Sequence, residues 1–168
     1  MRARMVGLVF VLGLVAVGAA VAGANRNWST HANGSMEVPA RDTSGQAQAI
    51  FQLSKDGTEL EYKLIASNIE NVVQAHIHAG APGVNGSVIV FLYGLVPPGG
   101  GRTDGVLSEG TITEDDFVAP FTELTLDELV DMMDSNLAYV NVHTNDGVAP
   151  ANTGPGDFPG GEVRGDIR

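Results

Sequence analysis

Three of the chain's four histidines are spaced as metal ligands often are: His76 and His78 lie two residues apart, and His143 sits in a second segment of similar character. Side chains two apart on a β-strand share a face. A strand through Val72 to His78 therefore presents both imidazoles together, while Ala75, Ile77 and Ala79 point the other way. The same alternation in Ala138 to His143 sets Tyr139, Asn141 and His143 on one face and Val140 and Val142 on the other. The aliphatic faces belong in a core, which leaves the imidazoles turned outward, beneath glycine-rich loops or an excursion such as Thr144 to Gly160. Two imidazoles on one strand and a third from a neighbour make a trigonal set suited to copper or zinc. Glu162 is a candidate fourth ligand, or the group that orients an imidazole. The same residues suit a second role, as hydrogen-bonding posts whose ring nitrogens fix the loops through backbone carbonyls and Glu162. Sequence alone leaves both roles open.

Other chemistries find less support. There is no cysteine, so no thiolate nucleophile and no disulfide, and no Gly-x-Ser-x-Gly elbow. Gly99-Gly100-Gly101 is followed by neither a lysine nor a helix that would make it a phosphate cradle. The carboxylates Asp115, Asp116, Asp127, Glu128, Asp131 and Asp134 do not follow calcium-loop spacing and read as a solvated helical face. Arg164-Gly165-Asp166 falls in a strand rather than an exposed loop, and reads as strand pairing with Arg164 bridging to a carboxylate. Haem is a further alternative, with a histidine as axial ligand. Without a Cys-x-x-Cys-His motif it would be held non-covalently.

The elements that must carry these residues are short strands between turn signals. Ala47, Ala49, Phe51 and Leu53 alternate with polar residues, Ile50 being the exception, and Ser54-Lys55-Asp56-Gly57 supplies a hairpin turn to a strand over Thr58 to Ala66. Ser87 to Tyr93 is almost wholly apolar and reads as a central strand; Pro97 to Gly105 reads as loop and Val106 to Thr113 as strand. Thr125 and Glu128 form a capping box, and Leu126, Leu129, Val130 and Met133 recur at helical spacing. A last strand runs from Glu162 to Ile167. Seven or so strands and one helix predict an all-β antiparallel sandwich or barrel.

The N-terminus reads as an export signal over residues 1–22: Arg2 and Arg4, an uncharged apolar run, then Ala20-Val21-Ala22 as a small-x-small cleavage pattern. No second apolar stretch of that length follows, so no membrane span is expected after cleavage, and the expected location is secreted or periplasmic. Residues 23–35 read as a flexible leader in which Trp28 is pinned and His31 is incidental, and residues 36–168 as one domain. With 20 acidic against 9 basic residues the net charge is −11, which disfavours nucleic acid and favours cations or basic proteins as partners. Self-association is left open.

Four segments in order carry a family likeness: Gly34-Ser35-Met36-Glu37-Val38-Pro39; Ala75-His76-Ile77-His78-Ala79-Gly80-Ala81-Pro82-Gly83-Val84-Asn85-Gly86 with the apolar strand after it; Tyr139-Val140-Asn141-Val142-His143-Thr144; and Phe158-Pro159-Gly160-Gly161-Glu162-Val163-Arg164-Gly165-Asp166-Ile167. Over roughly Thr30 to Arg168 the chain resembles the chordin-type (CHRD) domain. The resemblance implies an immunoglobulin-like or superoxide-dismutase-like sandwich and an extracellular, non-catalytic binding or structural module. Chordin itself antagonises bone morphogenetic proteins, but this chain lacks the cysteine-rich modules that carry much of that binding, so the function does not carry over. Asp115 to Leu124 reads as an insertion relative to the family.

Overall fold

The computed structural model describes residues 26–168, so the export signal read over 1–22 lies outside the described residues. The described chain forms β1 (Asn27–Asn33), β2 (Gln46–Leu53), β3 (Leu60–Glu70), β4 (Val72–Ala79), β5 (Val88–Tyr93), β6 (Arg102–Ile112), α1 (Leu126–Asp134), β7 (Ala138–Thr144) and β8 (Val163–Asp166). One sheet holds all eight strands in the order β5-β4-β7-β8-β1-β2-β3-β6, each antiparallel to its neighbours. It curls until its two edges approach. Across that seam the Tyr62 hydroxyl of β3 donates to the Leu92 carbonyl of β5 at 2.7 Å, and the Val118 N–H donates to Ile89 O at 2.9 Å. The result is a nearly closed antiparallel barrel with one α-helix, as the strand pattern predicted.

The interior is built by alternation. Ala47, Ala49 and Phe51 of β2 bury against Leu60 and Leu64 of β3, with Ala75 and Ile77 of β4 and Val140 and Val142 of β7 in the same cluster. Ile50, the exception in its strand, faces outward at 42% exposure. The helix contributes Leu126, Leu129, Val130 and Met133 to the core. Its capping box forms as expected: the Glu128 N–H reaches Thr125 Oγ1, and the Thr125 N–H reaches Glu128 Oε2 at 2.8 Å. Such a cap contributes about 1 kcal/mol.

Three expectations are corrected. The leader boundary at residue 36 is wrong, because β1 lies within 23–35 and pairs with β2 along its whole length, Asn27 opposite Gln52 and Asn33 opposite Gln46. Trp28, Thr30 and Ala32 alternate inward there, but one large apolar residue among Asn, Ser, Thr and His is too faint a pattern to read as a strand. His31 stays exposed on the outer face. The second correction concerns β5, which is an edge strand rather than a central one. Its apolar residues are explained by the segment after β6: Phe117 bridges to Val90 and covers the free edge. Phe117 lies within Asp115 to Leu124, the residues read as an insertion. Third, β6 begins at Arg102, inside the stretch read as loop.

Candidate metal centre

β4 and β7 run side by side with His76 opposite Asn141, Ile77 opposite Val140 and Gln74 opposite His143. His143 is therefore a diagonal neighbour of His76 on the same face, within reach of a long side chain. His76, His78 and His143 face away from the apolar core, as alternation requires, yet none is exposed: they retain 2%, 8% and 7% of their surface. The loops after β4 and β7 fold over them. The ring centroids stand 5.4 Å (His76 to His78), 4.9 Å (His76 to His143) and 6.0 Å (His78 to His143) apart. One nitrogen from each ring lies within 4.8 Å of the corresponding nitrogens of the other two.

The loops orient the rings. His143 Nδ1 lies 2.9 Å from the Pro159 carbonyl and His78 Nδ1 lies 3.0 Å from the Gly86 carbonyl. A carbonyl only accepts, so both Nδ1 atoms carry protons and both Nε2 atoms carry lone pairs. His76 Nδ1 lies 3.1 Å from His143 Nε2 and donates to it. The Nε2 atoms of His76 and His78 are buried and meet no hydrogen-bond partner within the protein. Gly86 is clamped twice, because its N–H also donates to the Tyr139 hydroxyl at 3.1 Å. No other residue fits there: a Cβ would stand 1.6 Å from the Ala79 carbonyl oxygen.

Around the imidazoles lies a buried polar layer that the family segments share. Tyr139 stacks on His78 with centroids 4.9 Å apart, and the Arg164 guanidinium sits 3.5 Å over the Tyr139 ring. Arg164 also donates to the carbonyls of Val84 and Ala81 at 3.0 and 2.9 Å, tying down the loop after β4, and lies 3.4 Å from Asp166. The Arg164-Gly165-Asp166 triplet is thus an internal fixture. Phe91 of β5 meets His76 edge-on at 4.3 Å and forms the outer lid of that ring.

Burial dominates the electrostatics. It pushes the His76 imidazole down to about 3, helped by His143 and His78. It pushes His143 down to about 4 against the raising effect of its bond to Pro159. His78 is lowered as well, by burial first and by Arg164. At neutral pH all three rings are neutral, which is the form that ligates metal. Glu37 moves the other way: burial raises its carboxyl to about 7, opposed by the Val38 backbone and by the charges of Arg164 and Arg41.

Glu162 is not brought to the imidazoles. Its Oε1 accepts from the Thr43 hydroxyl at 2.6 Å, and its Oε2 accepts from the Thr144 hydroxyl at 2.6 Å and the Gly156 N–H at 2.8 Å. Thr144 follows His143 and so projects from the opposite face of β7. Glu162 therefore knots the loop before β2 to the loop after β7, and the bond from Glu162 to an imidazole expected from sequence is absent. Sequence reasoning also left Glu37 and Phe91 unassigned. Glu37 sits in a loop without periodicity, and the partnership of Phe91 with His76 depends on bulges in the β4–β5 register.

The sequence pattern of the CHRD domain matches residues 28–167, and the chain belongs to that family. Comparison with curated proteins and with solved structures returns no match. Membership supports an extracellular binding or structural module, CHRD domains being typically extracellular. No helix among the described residues is long and apolar enough to cross a membrane.

Proposed function

We propose that this chain is an extracellular CHRD module that binds one copper or zinc ion through His76, His78 and His143. The observation that carries the reading is the convergence of three neutral imidazoles, with their ring nitrogens inside 4.8 Å, in a layer otherwise sealed by loops. Two of the rings donate Nδ1–H to backbone carbonyls, the outer contact that holds a metal-ligating histidine in orientation. The 3.1 Å between His76 Nδ1 and His143 Nε2 also fits one shared ion. Two nitrogens bonded to a metal at about 2.0–2.1 Å stand about 2.9 Å apart at a right angle and about 3.3 Å apart at the tetrahedral angle. The ion would replace the shared proton, which moves to His76 Nε2. An all-imidazole donor set favours zinc and copper over calcium or magnesium.

Metal analysis of protein purified from its native host tests this, together with zinc titration of chelator-treated protein. The expected result is about one ion per chain, lost in His76→Ala/His78→Ala. Wild type that takes up no metal, with the double variant merely less stable, would instead assign the histidines to fixing Gly86 and Pro159.

A further inference from the structure

Against Asn141, the residue opposite His76, lies a buried carboxyl group that the metal reading does not use. Glu37 is 6% exposed, and its Oε1 has no hydrogen-bond partner within the protein. Its Oε2 lies 3.5 Å from the Asn141 amide nitrogen, and Asn141 stands directly opposite His76 in the β4–β7 register and two residues before His143. The chain folds tightly over this group: a Cβ on Gly161 would stand 2.7 Å from Glu37 Oε1 and 2.5 Å from Asn141 Oδ1. Gly161 in turn follows Pro159, whose carbonyl orients His143. One amide side chain and one turn of loop therefore separate Glu37 from the ligands.

The charges that face Glu37 are few. From β8 comes Arg164 and from its own loop Arg41, both cationic, while β7 contributes the neutral Asn141. The three imidazoles are uncharged, so a divalent ion held by them alone would bring two positive charges into a buried layer that already contains Arg164. A site of that kind favours an anion close by, because charge is poorly screened where water is excluded.

We infer that Glu37 is the charge-compensating group of the three-histidine site: its carboxylic acid gives up its proton to solvent when a divalent cation binds, and the carboxylate offsets the ion's charge without ligating it. This rests on the metal reading. Burial that holds the acid protonated up to about pH 7 leaves a proton there to be released.

The test is zinc titration of the full chain by calorimetry at pH 6 in buffers of different ionisation enthalpy. Wild type is expected to release about one proton per zinc, and its affinity to rise about tenfold per pH unit between pH 5 and 6. In Glu37→Gln both the released proton and that slope are lost. Infrared spectroscopy of the wild type reads the same event without a variant: a protonated-carboxyl stretch that zinc abolishes. Should Glu37→Gln fail to fold, the infrared change and the wild-type proton count decide the matter. Zinc uptake at pH 6 without proton release, or with the carboxyl stretch unchanged, would overturn the assignment of Glu37 alone. No zinc uptake at any pH overturns the three-histidine reading, and this one with it.

Discussion

The two faces of β4, β7 and β8 are both buried, yet they are built from opposite chemistry. The inner face carries Ala75, Ile77, Val140, Val142 and Val163, which join the apolar core and need only shape. The outer face carries His76, His78, Tyr139, Asn141, His143, Arg164 and Asp166, covered by loops rather than by a second sheet. Apolar groups are stabilised by burial itself, whereas each polar group lost from water must find a partner. Here the partners are largely backbone atoms of loops: Gly86 and Pro159 for two histidines, Ala81 and Val84 for Arg164. The inner face thus holds the fold, and the outer face holds the loops in the positions that bring three imidazoles together. Buried polar atoms of this layer, His78 Nε2 and Glu37 Oε1 among them, find no partner in the protein at all. Buried atoms in that condition are where a ligand is best sought.

This division can be broken or sharpened experimentally. The largest effect is expected for Ile77→Ala, which empties the core between the two histidines of β4. It should cost about 2–5 kcal/mol in denaturant unfolding while the zinc stoichiometry stays as in wild type. Loss of zinc binding without loss of stability would show that the faces are not independent.

A smaller effect is expected at the knot around Glu162, which sequence reading offered as a fourth ligand or as a partner that orients an imidazole. Thr43→Val leaves Glu162 Oε1 without its hydroxyl donor and should cost about 1–3 kcal/mol, with zinc affinity unchanged. A large fall in zinc affinity would return Glu162 to the metal site.

The subtlest effect is a slope. In the presence of chelator, His76 and His143 bind protons in the unfolded chain near 6.5 but in the folded one only near 3 and 4, so their contribution weakens as pH falls below about 6.5. Glu37, raised from 4.5 to about 7, works in the reverse sense: its contribution is complete below about 4.5 and is lost as pH rises through 7. Between those limits the two effects oppose each other. Glu37→Gln should therefore make the acid-side loss of stability steeper, and unfolding midpoints measured from pH 4.5 to 6.5 give the slope directly. An unchanged slope would mean that Glu37 is already ionised in the folded protein.

Much of the fold was legible because side-chain alternation is local. The hairpin of β2 and β3, the capping box of α1 and the common face of the three histidines all follow from residues a few positions apart. β1 escaped because its only strong apolar signal is Trp28, whose indole N–H is anchored to Asp134 from the far end of the domain. The edge position of β5 was hidden for a related reason, since Phe117, which covers it, comes 24 residues after the end of that strand.

From the sequence alone came the periods of two and 3.6 that assign each side chain to a face, and with them an antiparallel sandwich or barrel whose histidines oppose its core. Tertiary structure decided that this outer face is sealed, that Gly86 and Pro159 set the ring orientations, that Glu37 reaches Asn141 and that Glu162 bonds Thr43, Thr144 and Gly156 instead of an imidazole. The reason is physical: facing is dictated by backbone geometry over a few residues, whereas burial and hydrogen-bond partnership depend on loops that return from 8 to more than 100 positions away.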